Sequence, residues 1–293
     1  MATSNDDNLL AEVFGFPSGN HSEMAQRFRK SRLCPYNNKV PNCTKDKAND
    51  PLGVCSIYHQ SEPVITCPIR FRQDWLIAED ASKFFFNDAS NWTSLAEVRL
   101  LDKHGGSAGN IDIVLVSYDN EGQILDFGSL EIQAVYISGN VRAPFAQYMK
   151  DPLAWTGRGQ ALKTLDPRPD YLSSSRKRLI PQMLYKGGIL KNWNKKQAVA
   201  LQNTFYETLP PLPETNEKDA EIAWFLYKLE KQKDRFQLVK DKIVYTKYWD
   251  ALNKIISPEP GDVESFVATL QRKLDEKLDN PPDAPLLFEF PTK

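Results

Sequence analysis

The sequence predicts an α/β fold that carries a small cysteine-bearing subdomain near its N-terminus. Three observations predict it. Two β-rich runs, residues 111–118 and 123–137, are separated only by a turn at residues 119–122, the mark of a hairpin within a sheet. Segments with helical spacing flank that hairpin on both sides. All four cysteines, Cys34, Cys43, Cys55 and Cys67, fall in the first quarter of the chain, a crowding that scattered core thiols do not explain.

The elements follow in order. An apolar run at residues 9–16 is ended by Pro17 and Gly19, and a helix is expected over 22–33. From Cys34 to Pro68 the chain is rich in Pro, Asn, Asp and Lys with little periodicity, so this stretch needs a staple, which a metal would supply. Residues 82–102 space their apolar positions like a helix and end at the Gly-rich break HGGSAGN before the hairpin. Further helices are expected over 148–154, over 172–190 with Pro181 as an interruption, and over 195–206. The segment LPPLPET at 209–215 reads as a connector. Beyond it, helices over 219–232 and 263–278 flank a strand at 236–245.

With 293 residues, 41% hydrophobic and 26% charged, the composition is that of a globular protein able to bury a core. No run of about 18 apolar residues is present, which argues against a helical membrane span. The start, MATSNDDNLLAEVFGF, lacks the basic and long apolar regions of a secretory signal, so a cytoplasmic location is the expectation. A reducing compartment disfavours disulfides. The four thiols are therefore expected to bind one structural metal ion, iron or zinc, with buried free cysteines as the alternative. Intervals of 8, 11 and 11 residues between them lack the C-x-x-C knuckle of common zinc ribbons.

The net charge of −1 conceals an uneven distribution. Residues 171–206 hold seven Lys or Arg and no Asp or Glu, between flanks of −4 each. Such a block is a candidate phosphate-binding face. On the second β-rich run, Glu131 and Gln133 point to one face while Leu130 and Ile132 point to the other. An acid and an amide inside an apolar strand need a polar purpose or an edge. Hairpin pairing can bring Asp112 close to Glu131, and two carboxylates at one site call for a cation such as Mg²⁺ between them. Glu97 could add a further carboxylate. The alternative is that all these groups face solvent on a half-buried hairpin.

The strings LCPYNNKVPNCTKDKANDPLGVCS, with Cys67 following, and SSSRKRLIPQMLYKGGIL resemble blocks of the NotI-type restriction endonucleases. With Glu97, Asp112 and the Glu131-Ile132-Gln133 triplet, the resemblance spans roughly residues 9–190, and nothing in the last hundred residues adds to it. It implies a PD-(D/E)xK nuclease core, a mixed sheet between helices, with a small iron-binding fold made by the cysteines. Three domains follow: 1–70 with the four-cysteine metal-binding fold, 71–210 with the catalytic core and basic block, and 211–293 as a helical or mixed extension. By the same resemblance Asp112 is the metal-binding Asp of the motif, Glu131 its acidic ligand and Gln133 the occupant of the position usually held by Lys. Ile111 stands where the motif has Pro. Glu97 is implied as an outer or second-metal ligand.

A type II restriction endonuclease of this kind uses Mg²⁺ to hydrolyse double-stranded DNA at a GC-rich palindrome and acts as a homodimer. A DNA methyltransferase is expected in the same cell, not as a stable subunit. Arg142, Arg176, Lys177, Arg178, Gln182 and Lys186 are the candidate DNA contacts for reading guanine, with a phosphate contact or a solvated side chain as the alternative for each Lys or Arg. Two rivals remain: a four-cysteine DNA-processing or repair nuclease of the same superfamily, and a metal-stapled DNA-binding regulator without catalysis, which leaves Asp112, Glu131 and Gln133 unexplained.

Overall fold

The computed structural model describes residues 8–38, 40–47, 49–86, 91–155, 157 and 166–279. The expected domain ends at 1–7 and 280–293, Lys39 and Ala48 of the cysteine motif, and residues 87–90 of the expected 82–102 helix lie outside them. The chain divides into two compact units, Met1–Ile256 and Ser257–Lys293.

The first unit opens with a small sheet of β1 (Leu10–Val13), β2 (Phe16–Pro17), β3 (Val54–His59) and β4 (Glu62–Ile65), in the order β2-β1-β3-β4. Helix α1 (Glu23–Lys30) is capped by Ser22, whose hydroxyl accepts from the Ala25 N–H at 3.3 Å, satisfying one of the donors that a helix start leaves open. Helix α2 (Leu76–Phe85) leads into the central sheet of β5 (Asn91–Leu101), β6 (Ser107–Tyr118), β7 (Ile124–Gln133), β8 (Gln197–Gln202), β9 (Ile222–Gln232) and β10 (Arg235–Thr246). Its strand order is β10-β9-β8-β7-β6-β5, and β8 runs parallel to both neighbours while the other pairs are antiparallel. The crossover from β7 to β8 carries α3 (Arg142–Lys150) and a helical run over 171–192; α4 (Tyr248–Ile256) follows β10.

Among the described residues, three apolar clusters cover the two faces of this sheet. On β8, Ala198 and Ala200 join the core that holds Phe84 and Phe85 of α2 and Leu130 and Ile132 of β7. Val199 and Leu201 point the other way, into the core with Val54, Tyr148 and Tyr248. This alternation with every residue of β8 buried is the behaviour of a parallel strand covered on both sides. The result is the mixed sheet between helices that the sequence led one to expect.

Three expected helices are corrected to strands. Residues 82–102 split into the end of α2 and strand β5, whose exposure alternates with period two around Trp92, Thr93 and Val98. The expected helix at 195–206 contains β8, and that at 219–232 contains β9. β8 throughout and β9 over its first six residues are apolar runs buried on both faces, for which helical and strand periodicity cannot be told apart. The helix expected at 148–154 lies earlier, at α3, ending before Pro152 and tolerating Pro144 in its first turn. Pro181 does not break the 171–192 run. The turns on either side, Ser175–Leu179 and Met183–Gly187, widen to π geometry, which accommodates the missing N–H and the proline ring.

The second unit contains helix α5 (Val263–Asp279), amphipathic as its spacing predicts. Among the described residues no helix is long and apolar enough to cross a membrane.

Candidate active site

The site is built where β6 and β7 pair. Ile113 stands opposite Leu130, so Asp112 and Glu131, next in register, meet on the face turned towards the helical run. Asp112 Oδ2 accepts from the Ile132 N–H at 2.8 Å, which fixes its carboxylate at the strand. The two side chains are near enough for each to perturb the ionisation of the other. Burial pushes the Glu131 carboxyl up to about 7, the Asp112 charge adds to the shift, and Lys186 opposes it. Asp112 is also raised, by burial first, with Glu97 adding to the shift.

Lys186 is the cation that reaches this pair. Its Nζ donates to Glu131 Oε2 at 2.7 Å and to the Asn110 carbonyl at 2.7 Å. It also lies 2.7 Å from Oε1, at an angle that leaves this buried oxygen without a hydrogen bond. The sequence reading put Lys186 on a DNA-facing surface; the fold buries it to 4% exposure instead. Helical periodicity could not reveal this, because the π turn at Met183–Gly187 alters which side of the helix residue 186 occupies.

Gln133 lies on the same face of β7 as Glu131, is buried, and donates from Nε2 to the Ala134 carbonyl at 2.8 Å. Glu97 is on a strand, not a helix. The ladder between β5 and β6 skips it: Ala96 pairs with Ile113 and Val98 with Ile111, which sets Glu97 opposite Asp112. Its φ of 56° is left-handed, a strained conformation of the kind that clusters at functional sites.

Asp112 and Gln133 open onto a cleft of about 640 Å³ whose walls include Lys45, Lys177, Arg178 and Gln182. The basic block is not one face. Arg176, Lys177 and Arg178 are exposed, with the Arg178 guanidinium 4.8 Å from the Tyr136 ring centre. By contrast, Lys191 pairs with Glu221 at 2.7 Å, Lys195 with Asp126 at 2.6 Å, and Lys196 donates to the Phe84 carbonyl at 2.8 Å. Arg142 is engaged as well, by Asp46 and Asp50 of the cysteine-rich segment. Two of the six expected DNA contacts, Arg142 and Lys186, are thus committed to protein carboxylates.

The four cysteines are free thiols within electrostatic reach of one another. Burial pushes Cys34 up to about 11, with Cys67 and Cys43 adding to the rise. Cys55 is raised well above the ordinary thiol value, first by burial, then by Glu12, Cys67 and Cys34. Four neighbouring thiols are the donor set of a metal-thiolate site, where a bound ion would lower the pKa that burial raises. Among the described residues, however, no three His, Cys, Asp or Glu side chains are gathered closely enough to hold a metal ion. The cysteines as placed do not form a closed cage. For Mg²⁺ the fit is better, since that ion takes one or two carboxylates and completes its shell with water and substrate phosphate. Asp112, which lines the cleft, and Glu131 beside it supply two carboxylates.

No curated protein matches the chain at a significant level. The family model described as restriction endonuclease NotI matches residues 20–238, about three quarters of the chain, including all four cysteines, the carboxylate pair and the basic block. The chain therefore belongs to the NotI restriction endonuclease family and is a type II site-specific deoxyribonuclease acting on double-stranded DNA.

Proposed function

We propose that this endonuclease hydrolyses phosphodiester bonds at a specific GC-rich palindrome, with Mg²⁺ held by Asp112 and Glu131. The observation that carries the reading is the carboxylate pair of β6 and β7, whose Asp112 lines a cleft with the exposed cations Lys177 and Arg178 on its wall. When bound, the ion supplies Lewis acidity at the scissile phosphate and lowers the pKa of a water. The protein's part is positional. Asp112 is pinned by the Ile132 N–H, Gln133 turns its amide from the Ala134 carbonyl to orient the attacking water, and Glu97 contributes an outer carboxylate. Water attacks phosphorus as the bond to the 3′ oxygen breaks, with no covalent enzyme intermediate. GC-rich specificity rests on the family resemblance, as does the division of labour among residues 1–70, 71–210 and 211–293.

The deciding experiment incubates the protein with a sequenced plasmid, with Mg²⁺ and with chelator. Discrete fragments with Mg²⁺ and none with chelator are expected. A smear would favour a processing nuclease, and intact DNA would defeat the catalytic reading. Mapping the ends also yields the recognition site.

The exposed Arg176, Lys177, Arg178 and the partly buried Gln182 are the proposed DNA contacts. Neutralising Lys177 and Arg178 is expected to flatten the dependence of log affinity on log salt by roughly one unit per lost phosphate contact. Loss of a guanine contact instead costs about 1–3 kcal/mol, mainly against the cognate site. A palindrome is matched most simply by a two-fold homodimer, so sedimentation with the mapped site should give two chains per duplex. A methyltransferase protecting the same site in the cell, in place of a stable subunit, completes the proposed system.

For the cysteines we propose one structural Fe or Zn held by Cys34, Cys43, Cys55 and Cys67, with no catalytic step depending on it. Elemental analysis should find about one such ion per chain, the count that one set of four thiolates takes. Replacing Cys43 or Cys55 by Ser should release it and lower the melting temperature. Metal-free wild-type protein with normal melting would remove the site.

A further inference from the structure

Outside the open cleft, one charged group is built into the carboxylate pair from behind. Lys186 is 4% exposed and sits 2.7 Å from both oxygens of Glu131, while Asp112 and Gln133 line the cleft and Lys186 does not. Lys186 and Glu131 instead border a separate, small cavity beside Met183, Gly187 and Val199. The turn that carries Lys186 is held from two directions: the Tyr248 hydroxyl donates to the Met183 carbonyl at 2.7 Å, and Gln197 Nε2 donates to the Gly187 carbonyl at 3.0 Å. Its stem crosses β6 at Gly109, where an added Cβ would lie 3.6 Å from Lys186 Cδ. A third anchor is the Asn110 carbonyl, which accepts from Nζ at 2.7 Å. So many anchors on one ammonium fix its location, unlike that of a surface lysine, whose flexible stem samples many positions.

We infer that Lys186 is a positioning residue for cleavage: from the closed side of the carboxylate pair its ammonium orients Glu131 and offsets its charge, leaving the open side to the metal and the DNA. The Glu131-Ile132-Gln133 triplet brings no cation of its own, and a buried carboxylate pair without one is unstable. The widened turn at Met183–Gly187 delivers the charge from another element. Lys186 acts through Glu131 and touches neither base nor phosphate, which separates it from Lys177 and Arg178. This inference rests on the reading of Asp112 and Glu131 as the metal ligands.

The test compares full-length wild-type protein with Lys186→Met, Lys186→Arg, Glu131→Gln and the Glu131→Gln/Lys186→Met double variant. Three quantities are read: turnover on the plasmid with Mg²⁺, affinity for the mapped duplex in chelator, and melting without metal. Lys186→Met is expected to lose roughly 10–100-fold in turnover, as losses of groups that hold metal ligands do, with KM and chelator-phase affinity unchanged. Lys186→Arg should recover part of that turnover. In metal-free melting the double variant should be more stable than Lys186→Met alone, because the pair is removed whole and no buried charge is stranded. That comparison tests the pairing of Lys186 with Glu131 even where Lys186→Met folds poorly. Wild-type turnover in Lys186→Met, loss of DNA affinity in step with turnover, or a double variant no more stable than the single would overturn the inference. Wild-type turnover in Glu131→Gln would instead sink the ligand assignment beneath it.

Discussion

Glu131→Gln is expected to leave the endonuclease unable to cut DNA while it still binds its site. The carboxylate is half of the pair proposed to hold Mg²⁺, and the metal contributes several kcal/mol of charge stabilisation at the scissile phosphate. Losing about 4 kcal/mol of that corresponds to roughly a thousandfold in rate. Binding survives because the DNA contacts proposed at Arg176, Lys177, Arg178 and Gln182 are separate side chains and because Glu131 is mostly buried, 12% exposed at its side chain. Asp112→Asn should behave alike. Turnover on the plasmid and gel-shift affinity in chelator, measured on the same preparations, check both halves; near wild-type turnover in Mg²⁺ would remove Glu131 from the site.

The second large effect is on stability. Arg70 and Glu12 are both fully buried, and Arg70 Nε donates to both Glu12 oxygens at 3.0 Å. The remaining guanidinium donors reach Gln73 Oε1 at 2.8 Å and the Phe236 carbonyl at 2.9 Å, and Tyr36 covers the group at 4.3 Å. Stretches of chain as far apart as Glu12 and Phe236 thus meet on one charged group. Arg70→Met strands the Glu12 carboxylate in the interior and is expected to cost about 3–5 kcal/mol, a large fraction of the total stability of a domain. Urea unfolding measures it. The Glu12→Gln/Arg70→Met double variant should lose less than the sum of its singles, since a buried pair removed whole leaves no naked charge. An Arg70→Met protein as stable as wild type would mean that the pair contributes nothing.

By itself the sequence determined the hairpin of β6 and β7, the alternation that sets Glu131 and Gln133 on one face, and the likeness to NotI-type enzymes. Those signals are local: a turn, a period of two, a motif string. It also determined strand β10 and the helices α1 and α5, whose patterns are one-sided. Three strands were hidden for a physical reason. β8 and β9 are buried on both faces, so they carry no alternation, and β5 mixes small, polar and apolar residues at spacings that also suit a helix.

The cations show the same division. Sequence counting fixed a block of seven Lys or Arg without an acid among them, but only the fold supplied the partners, since Glu131, Asp126 and Glu221 come from other elements. Tertiary structure left Arg176, Lys177 and Arg178 exposed and turned Lys186 inward onto the carboxylate pair. Its position follows two π turns around Pro181, which alter the side of the helix that residue 186 presents. Charge is written in the sequence; which charge it meets is decided by packing.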